Sequence, residues 1–592
     1  MTLAEETPLE AFRTWLLQNG ATMPALDFKP SLEGSAPRGT GLFTQIPLSL
    51  AAEETIANVP SHLLINSDLV LRISRGDTPA ARRLKKCLAS LEAVEMSVSQ
   101  AALERLFLLV FLLWGWSNGQ VDEEEEDGGG EELDGEKKRL SAGFWLPYIR
   151  ILPDLDDLDT PIFWPESSPA LALLQGTPLA TAVAAKKNKL NREFGELKPH
   201  LQHLQPPGVT ITEQRFLWAD AVFWSRVLSL GSALQIQPDV NENAASPDDY
   251  HLIPLIDLCN HSPDASIRWN ISSSPSSSPS PVIDLRAVND TTLPENTELF
   301  ISYGAKPNTE FLFLHGFVIP SNPHNALVVS PVPFIESTYL QTEDDDLPDV
   351  DQTAIKNAIQ EKMELLARLG VPPMIYLSPP TGDVTDETLS EIGPHTPDPT
   401  CGIVSQEGMV AMYVAVLTGE DGFGRVSKAS EEAEGEGEED GMFMVGGKRL
   451  RECTPEAFCK MVDEMEHYEV IRLRVWAVLL GVVTYKLAEL VAHEPPNNST
   501  DDVDPVTDST SRLLLTNEAA PSEHDHPHSP KDAIRTEKVR IFREGLKDLL
   551  VGAVSVLQGL QETWAGVESV QGYLRGMQEE REERESDGND GE

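Results

Sequence analysis

Along the chain, apolar residues recur at two spacings, and each spacing predicts a different kind of element. Phe12, Trp15 and Leu16 fall on one side of a short amphipathic helix over residues 9–20. Gly34–Gly41 is rich in glycine and small residues and predicts a loop. Short strands follow at Leu42-Phe43, Ile46, Thr55-Ile56 and Val59, punctuated by Pro47 and Pro60. Residues 78–118 and 167–235 return to helical spacing. From His251 the pattern is again one of short segments: Ile253–Leu258, Ser266–Asn270, Val282–Leu285 and Glu298–Tyr303. Helices are predicted over 353–370, 454–492 and 531–575. A β-rich unit is thus split by a helical insertion and followed by a helical lobe. The fold class expected is α+β, with an all-α C-terminal lobe.

The pattern divides the 592 residues into five parts. Residues 10–75 and 226–325 form the two halves of the β-rich domain, and 76–225 the insertion between them. Residues 326–575 form the lobe, and 576–592 an acidic tail. The formal net charge of −49 is concentrated in Asp122–Asp127 with Glu131 and Glu132, in Glu343–Asp346, in Glu431–Asp440 and in Glu579–Glu592. Such runs repel themselves and are expected to stay solvated. Ser272–Pro281 reads as a flexible loop tip and Pro495–His528 as a linker. The charge disfavours direct nucleic-acid binding, which needs clustered Lys and Arg, and suits a basic protein partner.

Five cysteines, Cys87, Cys259, Cys401, Cys453 and Cys459, form no CxxC pair. Neither a disulfide framework nor a metal site is suggested, and reduced thiols in a cytoplasmic or nuclear compartment are expected. Residues 1–17 lack the basic region of a secretory signal. The apolar run Leu106–Leu113 is shorter than the roughly 20 residues of a spanning helix. It reads as a core helix, as does Val475–Tyr485, so no membrane association is expected. A monomer is expected.

Two segments carry candidate chemistry. One is Pro254–Ser262, containing Asp257, Cys259, Asn260 and His261. The other is Glu298–Gly304, containing Ile301, Ser302 and Tyr303 and followed by Asn308, Glu310, Gly316, Phe317 and Val318. Neither Asn-His nor Ser-Tyr-Gly is informative alone. Their order, about forty residues apart with both at the ends of short apolar segments, is.

These segments resemble the paired motifs of SET-domain protein methyltransferases, in the subgroup of the Rubisco large-subunit methyltransferase, which methylates lysines of non-histone proteins. Arg38-Gly39-Thr40-Gly41-Leu42-Phe43 with Ile46, Pro47 and Val59-Pro60 resembles the opening of that domain. Trp145, Pro147, Tyr148, Leu152-Pro153, Trp218-Ala219 and Ser225-Arg226 resemble its inserted region, and the C-terminal helices its substrate-binding lobe. The resemblance implies S-adenosyl-L-methionine as methyl donor and a basic protein, such as a ribosomal protein or translation factor, as acceptor.

Roles follow from the same resemblance. Tyr303 is the catalytic tyrosine, beside the transferred methyl. Asn260 holds the amino-acid end of the cofactor, and His261 meets the adenine through its backbone while its ring is structural. Arg38 and Thr40 present backbone groups, with Gly39 and Gly41 permitting close approach. Arg226 and Asp257 line the target channel or the cofactor pocket, or form a structural ion pair. Phe317 walls the site. The family pattern has Tyr before Gly-Phe, where this chain has His315. Relatives that methylate histidine also lack that tyrosine, so a histidine target stays open. So does a binding protein that keeps the fold without the activity.

Overall fold

The computed structural model describes residues 6–33, 36–92, 99–121, 138–230, 249–273, 281–340, 352–381, 402–425, 442–494 and 529–587. The acidic runs at 122–132, 343–346 and 431–440, the loop tip at 274–280, the linker at 495–528 and Cys401 lie outside them.

Strand β1 (Leu26–Glu33) and β2 (Ala36–Thr44) form an antiparallel hairpin. The expected loop at Gly34–Gly41 is therefore mostly strand. Small residues hide a strand in the hydrophobic pattern, but main-chain pairing needs no side chain. Ser31 sits opposite Gly39 and Lys29 opposite Gly41, with an irregularity at Ser31/Leu32. Ile46 lies between strands and is exposed. Strands β3 (Leu48–Leu50) and β4 (Thr55–Pro60) follow, and β5 (Leu228–Ser229) pairs with β6 (Tyr250–His251). Strands β7 (Ile267–Ser273) and β8 (Pro281–Ala287) form a second hairpin, with β4 against β8. Strand β9 (Thr291–Leu293) pairs with β3, and β10 (Glu298–Leu299) adds to β2. Strands more than 220 residues apart in sequence are thereby neighbours: Leu299 lies opposite Leu42, and Ile283 opposite Val59.

The insertion supplies the helices Pro79–Glu92, Gln100–Asn118, Ala142–Ile149, Pro178–Leu201 and Glu213–Arg226. Gln100–Asn118 and Tyr468–Ala492 are long and apolar enough to cross a membrane by length and composition. Each nevertheless feeds a core. The first buries Leu108 through Trp114 among the strands, and the second buries Val475, Trp476, Leu479 and Val483 in the lobe. Trp114, Trp145 and Trp218 each donate an indole N–H to a main-chain carbonyl, of Ala80, Arg139 and Pro153. A largely buried charge network fixes three insertion helices together. Arg105 holds Glu193 at 2.6 Å and Asp220 at 2.7 Å, and Lys186 reaches Asp220 at 3.1 Å.

Two apolar cores result. The first joins Phe12, Leu42, Val59, Trp114, Trp145, Phe223, Leu258 and Ile301. The second joins Trp164, Leu179 and Leu312 to the lobe residues Ile375, Met412, Trp476, Leu549 and Trp564. The lobe is helical in bulk, with Gln352–Arg368, Gln406–Val416, Tyr468–Ala492 and the 36-residue helix Pro530–Ala565. It also carries small sheets that the pattern left unmarked: Leu327–Val329 pairs with Ile375–Leu377, and Phe443–Val445 with Gly424–Arg425 and Lys448–Arg449. The last helix, Glu568–Asp587, runs into the expected tail, where Glu and Arg recur at helical spacing.

Candidate active site

The site forms where two chain segments cross. Leu255 takes a positive φ of 84°, a conformation worth about 1–3 kcal/mol of strain in a branched residue. Complete burial of its side chain holds it there. The turn after it, Ile256–Leu258, delivers Asp257, Cys259, Asn260 and His261 in succession. Residues 260–262 then pair in parallel with Ile301: the Ile301 N–H donates to the Asn260 carbonyl at 3.0 Å, and the Ser262 N–H to the Ile301 carbonyl at 3.1 Å. This crossing brings the two sequence motifs into contact.

Tyr303 is locked at both ends. Its N–H donates to Nδ1 of His261 at 3.0 Å, and its hydroxyl donates to the Cys259 carbonyl at 2.8 Å. Burial pushes the phenol far above its ordinary value, so it is a donor and never a base at physiological pH. Burial likewise holds the His261 imidazole below its ordinary value. That ring therefore accepts from Tyr303 and serves structure, leaving its main chain as the part available to a ligand.

Asn260 is held from the other side. Its amide donates to Glu298 Oε1 at 2.8 Å and lies 3.4 Å from the Thr40 carbonyl. Glu298 Oε2 accepts from Ser31 at 2.7 Å. The carboxylate stands directly over Gly41, where an added Cβ would lie 2.3 Å from Oε1. Gly41 is thus required by Glu298. The glycine suited to a ligand is Gly39, whose φ is +86° and whose Cβ position is open. Arg38 lays its guanidinium over the Phe300 ring at 5.6 Å.

Arg226, at the end of its helix, donates through Nη1 to the main-chain carbonyl of Asp257 at 2.6 Å. The Asp257 carboxylate instead accepts from Tyr148 at 2.5 Å. The expected alternative of an Arg226–Asp257 ion pair is thus replaced by a main-chain contact, since the Asp257 carboxylate is turned toward Tyr148. Burial raises the Asp257 carboxyl to about 6, opposed by the nearby Arg226 charge. Asp257 Oδ1 and Arg226 Nε are buried without a hydrogen-bond partner among the described residues.

The remaining wall is a cage of rings. A π-helical turn, Phe311–His315, ends at Gly316, whose φ is +77° and whose Cβ would meet the Asp159 carbonyl at 2.6 Å. Asn308 staples this turn by exchanging two 2.8 Å hydrogen bonds with the main chain of Ile319. The His315 ring lies 5.0 Å from Tyr303 and 5.9 Å from Phe317, and Phe311 stacks on Phe317 at 4.8 Å. His261 lies 5.1 Å from Tyr303 and 4.8 Å from Phe311. Burial drives the His315 imidazole down to about 3.

The structure therefore brings Tyr303, Asn260, His261, Arg226, Asp257, His315, Phe317 and the Arg38–Thr40 main chain into one region. Sequence reasoning missed the roles of Glu298 and Tyr148. Both lie in the quoted motifs, but their partners lie 38 and 109 residues away.

The chain superposes on the SET domain of LSMT, solved bound to lysine and AdoHcy, with a TM-score of 0.53 at 15% identity, covering 96% of this chain and 95% of that one. The chain has the SET fold of LSMT. The same domain bound to MeLysine and AdoHcy gives a TM-score of 0.51. No family model matches the chain. In sequence, the chain is similar to SET domain-containing protein 8 of Schizosaccharomyces pombe, 31% identical over 176 residues, 29% of this chain and 34% of that protein. It is similar to the N-lysine methyltransferase setd6 of Xenopus laevis, 26% identical over 35% of this chain and 44% of that protein. It is also similar to the ribosomal lysine N-methyltransferase set10 of Schizosaccharomyces pombe, 26% identical over 31% and 30%. The matched region spans less than half the length of each of these relatives. The fold and these relatives agree with the SET resemblance of the two motifs.

Proposed function

We propose that the chain is an S-adenosylmethionine-dependent protein-lysine N-methyltransferase acting on a non-histone protein. The observation that carries the reading is the crossing of the two motifs, which sets the Tyr303 hydroxyl on the Cys259 carbonyl beside Asn260 and the ring cage. The residues fit the cofactor. Gly39 leaves open space where a side chain would stand, and Asn260 is immobilised by Glu298 beside the Thr40 carbonyl. Arg38, Gly39, Thr40, Asn260 and the His261 main chain would hold it. When bound, S-adenosylmethionine supplies an electrophilic methyl on a sulfonium.

This chain's own residues do the rest. The ring cage excludes water and so favours the neutral form of an entering amine. Tyr303 and the Cys259 carbonyl fix dipoles at the reacting position before reaction, which lowers the reorganisation needed. Orientation within such a cage is worth roughly 7–11 kcal/mol of barrier. Arg226 and Asp257, each with one buried polar atom unpaired among the described residues, would line the approach.

The names of setd6 and set10 support lysine as the target, and set10 supports a ribosomal protein. The acidic charge favours a basic partner. A monomer in the cytoplasm or nucleus, binding neither nucleic acid nor membrane, completes the proposal. A histidine target is the second reading, favoured by His315 at the place of the tyrosine. Thermal melting with S-adenosylhomocysteine tests the cofactor assignment, because a ligand of the native state raises the melting temperature. Wild type should respond, and Asn260→Ala should lose most of the response. An unresponsive wild type would leave the reading without its cofactor.

A further inference from the structure

The π-helical turn that ends in His315 has two sides. On one side, Phe311 and His315 belong to the ring cage with Tyr303, His261 and Phe317. On the other, Leu312 is fully buried in the second core, to which Trp164 also belongs. Phe313 packs against that core, with Lys186 5.0 Å from its ring. The turn closes at Gly316, where the Asp159 carbonyl and the Thr160 nitrogen leave no room for a side chain. A contact this close in a dense interior transmits displacement, so the end of the turn follows the Asp159 main chain. Asp159 is itself placed by the first turns of the helix Pro530–Ala565. Its carboxylate lies between Arg535 Nε and Lys538 Nζ, each at 2.6 Å, and the Arg535 side chain is only 10% exposed. The Trp164 indole N–H lies 3.2 Å from both the Asp159 carbonyl and Oδ1. Beside this clamp, Lys531 donates to the Asp156 carbonyl at 2.8 Å, and Ser168 to the Asp532 carboxylate at 3.1 Å.

We propose that Arg535 and Lys538 of the lobe are positioning residues for methyl transfer: by holding Asp159 against Gly316 they set the Phe311, His315 and Phe317 rings at the reacting position. The inference rests on the reading of the chain as a methyltransferase. The two cations act through Asp159 and the turn, on rings that surround the Tyr303 side chain. The pairs are charge-assisted, and the Arg535 pair is largely shielded from water, so they hold geometry that an exposed pair would not. The seating of the lobe on the insertion then governs the rate. A reacting geometry lost by about 1 Å costs roughly 10²-fold, and a loosened clamp gives up part of that distance.

The test compares two buried arginines of one helix in the full chain. Arg535→Gln breaks the clamp. Arg543→Gln removes a donor from the carbonyls of Leu173, Gln175 and Leu490, and so loosens the lobe without touching Asp159. Methyl transfer to proteins of a hypomethylated cell extract is followed at a temperature where urea unfolding shows both variants folded. In Arg535→Gln the rate at saturating S-adenosylmethionine should fall roughly tenfold, with the KM for S-adenosylmethionine nearly unchanged. Arg543→Gln should keep the wild-type rate. Lys538→Gln should lose part of the rate, and Lys538→Arg, which keeps the charge, should recover most of that loss. In protein labelled with 13C-histidine, the His315 ring resonance, assigned by its loss in His315→Phe, should shift in Arg535→Gln and Lys538→Gln but not in Arg543→Gln. If Arg535→Gln does not fold, Lys538→Gln carries both readouts. Equal losses of rate in the clamp variants and Arg543→Gln, or a His315 resonance unmoved by the clamp variants, overturns the inference. No transfer by wild type, beside a His315 shift confined to the clamp variants, removes the methyltransferase reading and leaves the coupling of lobe and turn standing.

Discussion

The two titratable side chains at the centre of the site are shifted in opposite senses by the same burial. His315 is driven down to about 3, while the unfolded chain takes a proton at its ordinary value near 6.5. Its contribution to stability is complete above about 6.5 and is lost as pH falls toward 3. Asp257 is raised to about 6 from 3.8, so its ionised form costs stability above about 6, a cost relieved as pH falls toward 4. Urea unfolding at a series of pH values should show this. His315→Phe should flatten the acid loss, by at most about 1.4 kcal/mol per pH unit below 6.5. An unchanged slope would place the ring in water. Tyr303→Phe removes the hydroxyl on Cys259 without touching Asn260. It should lower single-turnover methyl transfer by roughly 10²-fold while leaving the melting response to S-adenosylhomocysteine nearly intact. Tyr303, Asn260 and His261 were legible in the sequence because each motif is short and local. Glu298 as the clamp of Asn260 was not, since only the fold sets its oxygen 2.8 Å from that amide.

At the scale of elements, the glycines separate two functions that look alike in sequence. Gly41→Ala would force Glu298 aside and release Asn260. Cofactor affinity should fall, by about tenfold for one hydrogen bond, as isothermal titration would show. Gly316→Ala combines a positive φ with a backbone clash and should destabilise the fold by about 1–3 kcal/mol or more. In the insertion, Asp220→Ala would take the carboxylate partner from Lys186 and leave Arg105 with Glu193 alone in a largely buried place, and should cost about 3 kcal/mol in urea unfolding. Four of the five named helices of the insertion fall in the stretches of helical spacing at 78–118 and 167–235, while Ala142–Ile149 lies outside them. The second hairpin was legible at Ser266–Asn270 and Val282–Leu285, but Ser272, Ser273 and Pro281, expected in a loop tip, belong to its strands. The β1–β2 hairpin was not legible, because Gly39, Gly41 and their small neighbours carry no apolar alternation, and the partner strand decides the pairing.

Across the whole molecule, the Asp159 carboxylate ties the insertion beside the candidate site to the lobe. Asp159 accepts from Arg535 and Lys538, each at 2.6 Å, and its main chain presses on Gly316 next to His315. Contacts spanning more than 370 residues leave no trace in a local pattern. The two- and three-residue strands of the lobe are likewise too short to show a period. Asp159→Ala should cost about 1–3 kcal/mol and speed amide exchange in the first turns of Pro530–Ala565. The measurement that bears most directly on the account is transfer of a radiolabelled methyl from S-adenosylmethionine to proteins of a hypomethylated cell extract, comparing wild type with Asn260→Ala and Tyr303→Phe. A labelled protein band seen with wild type and lost in both variants, with the label mapped to lysine, is the predicted result. A band that persists in both variants, or no labelled protein despite a clear melting response to S-adenosylhomocysteine, would contradict it.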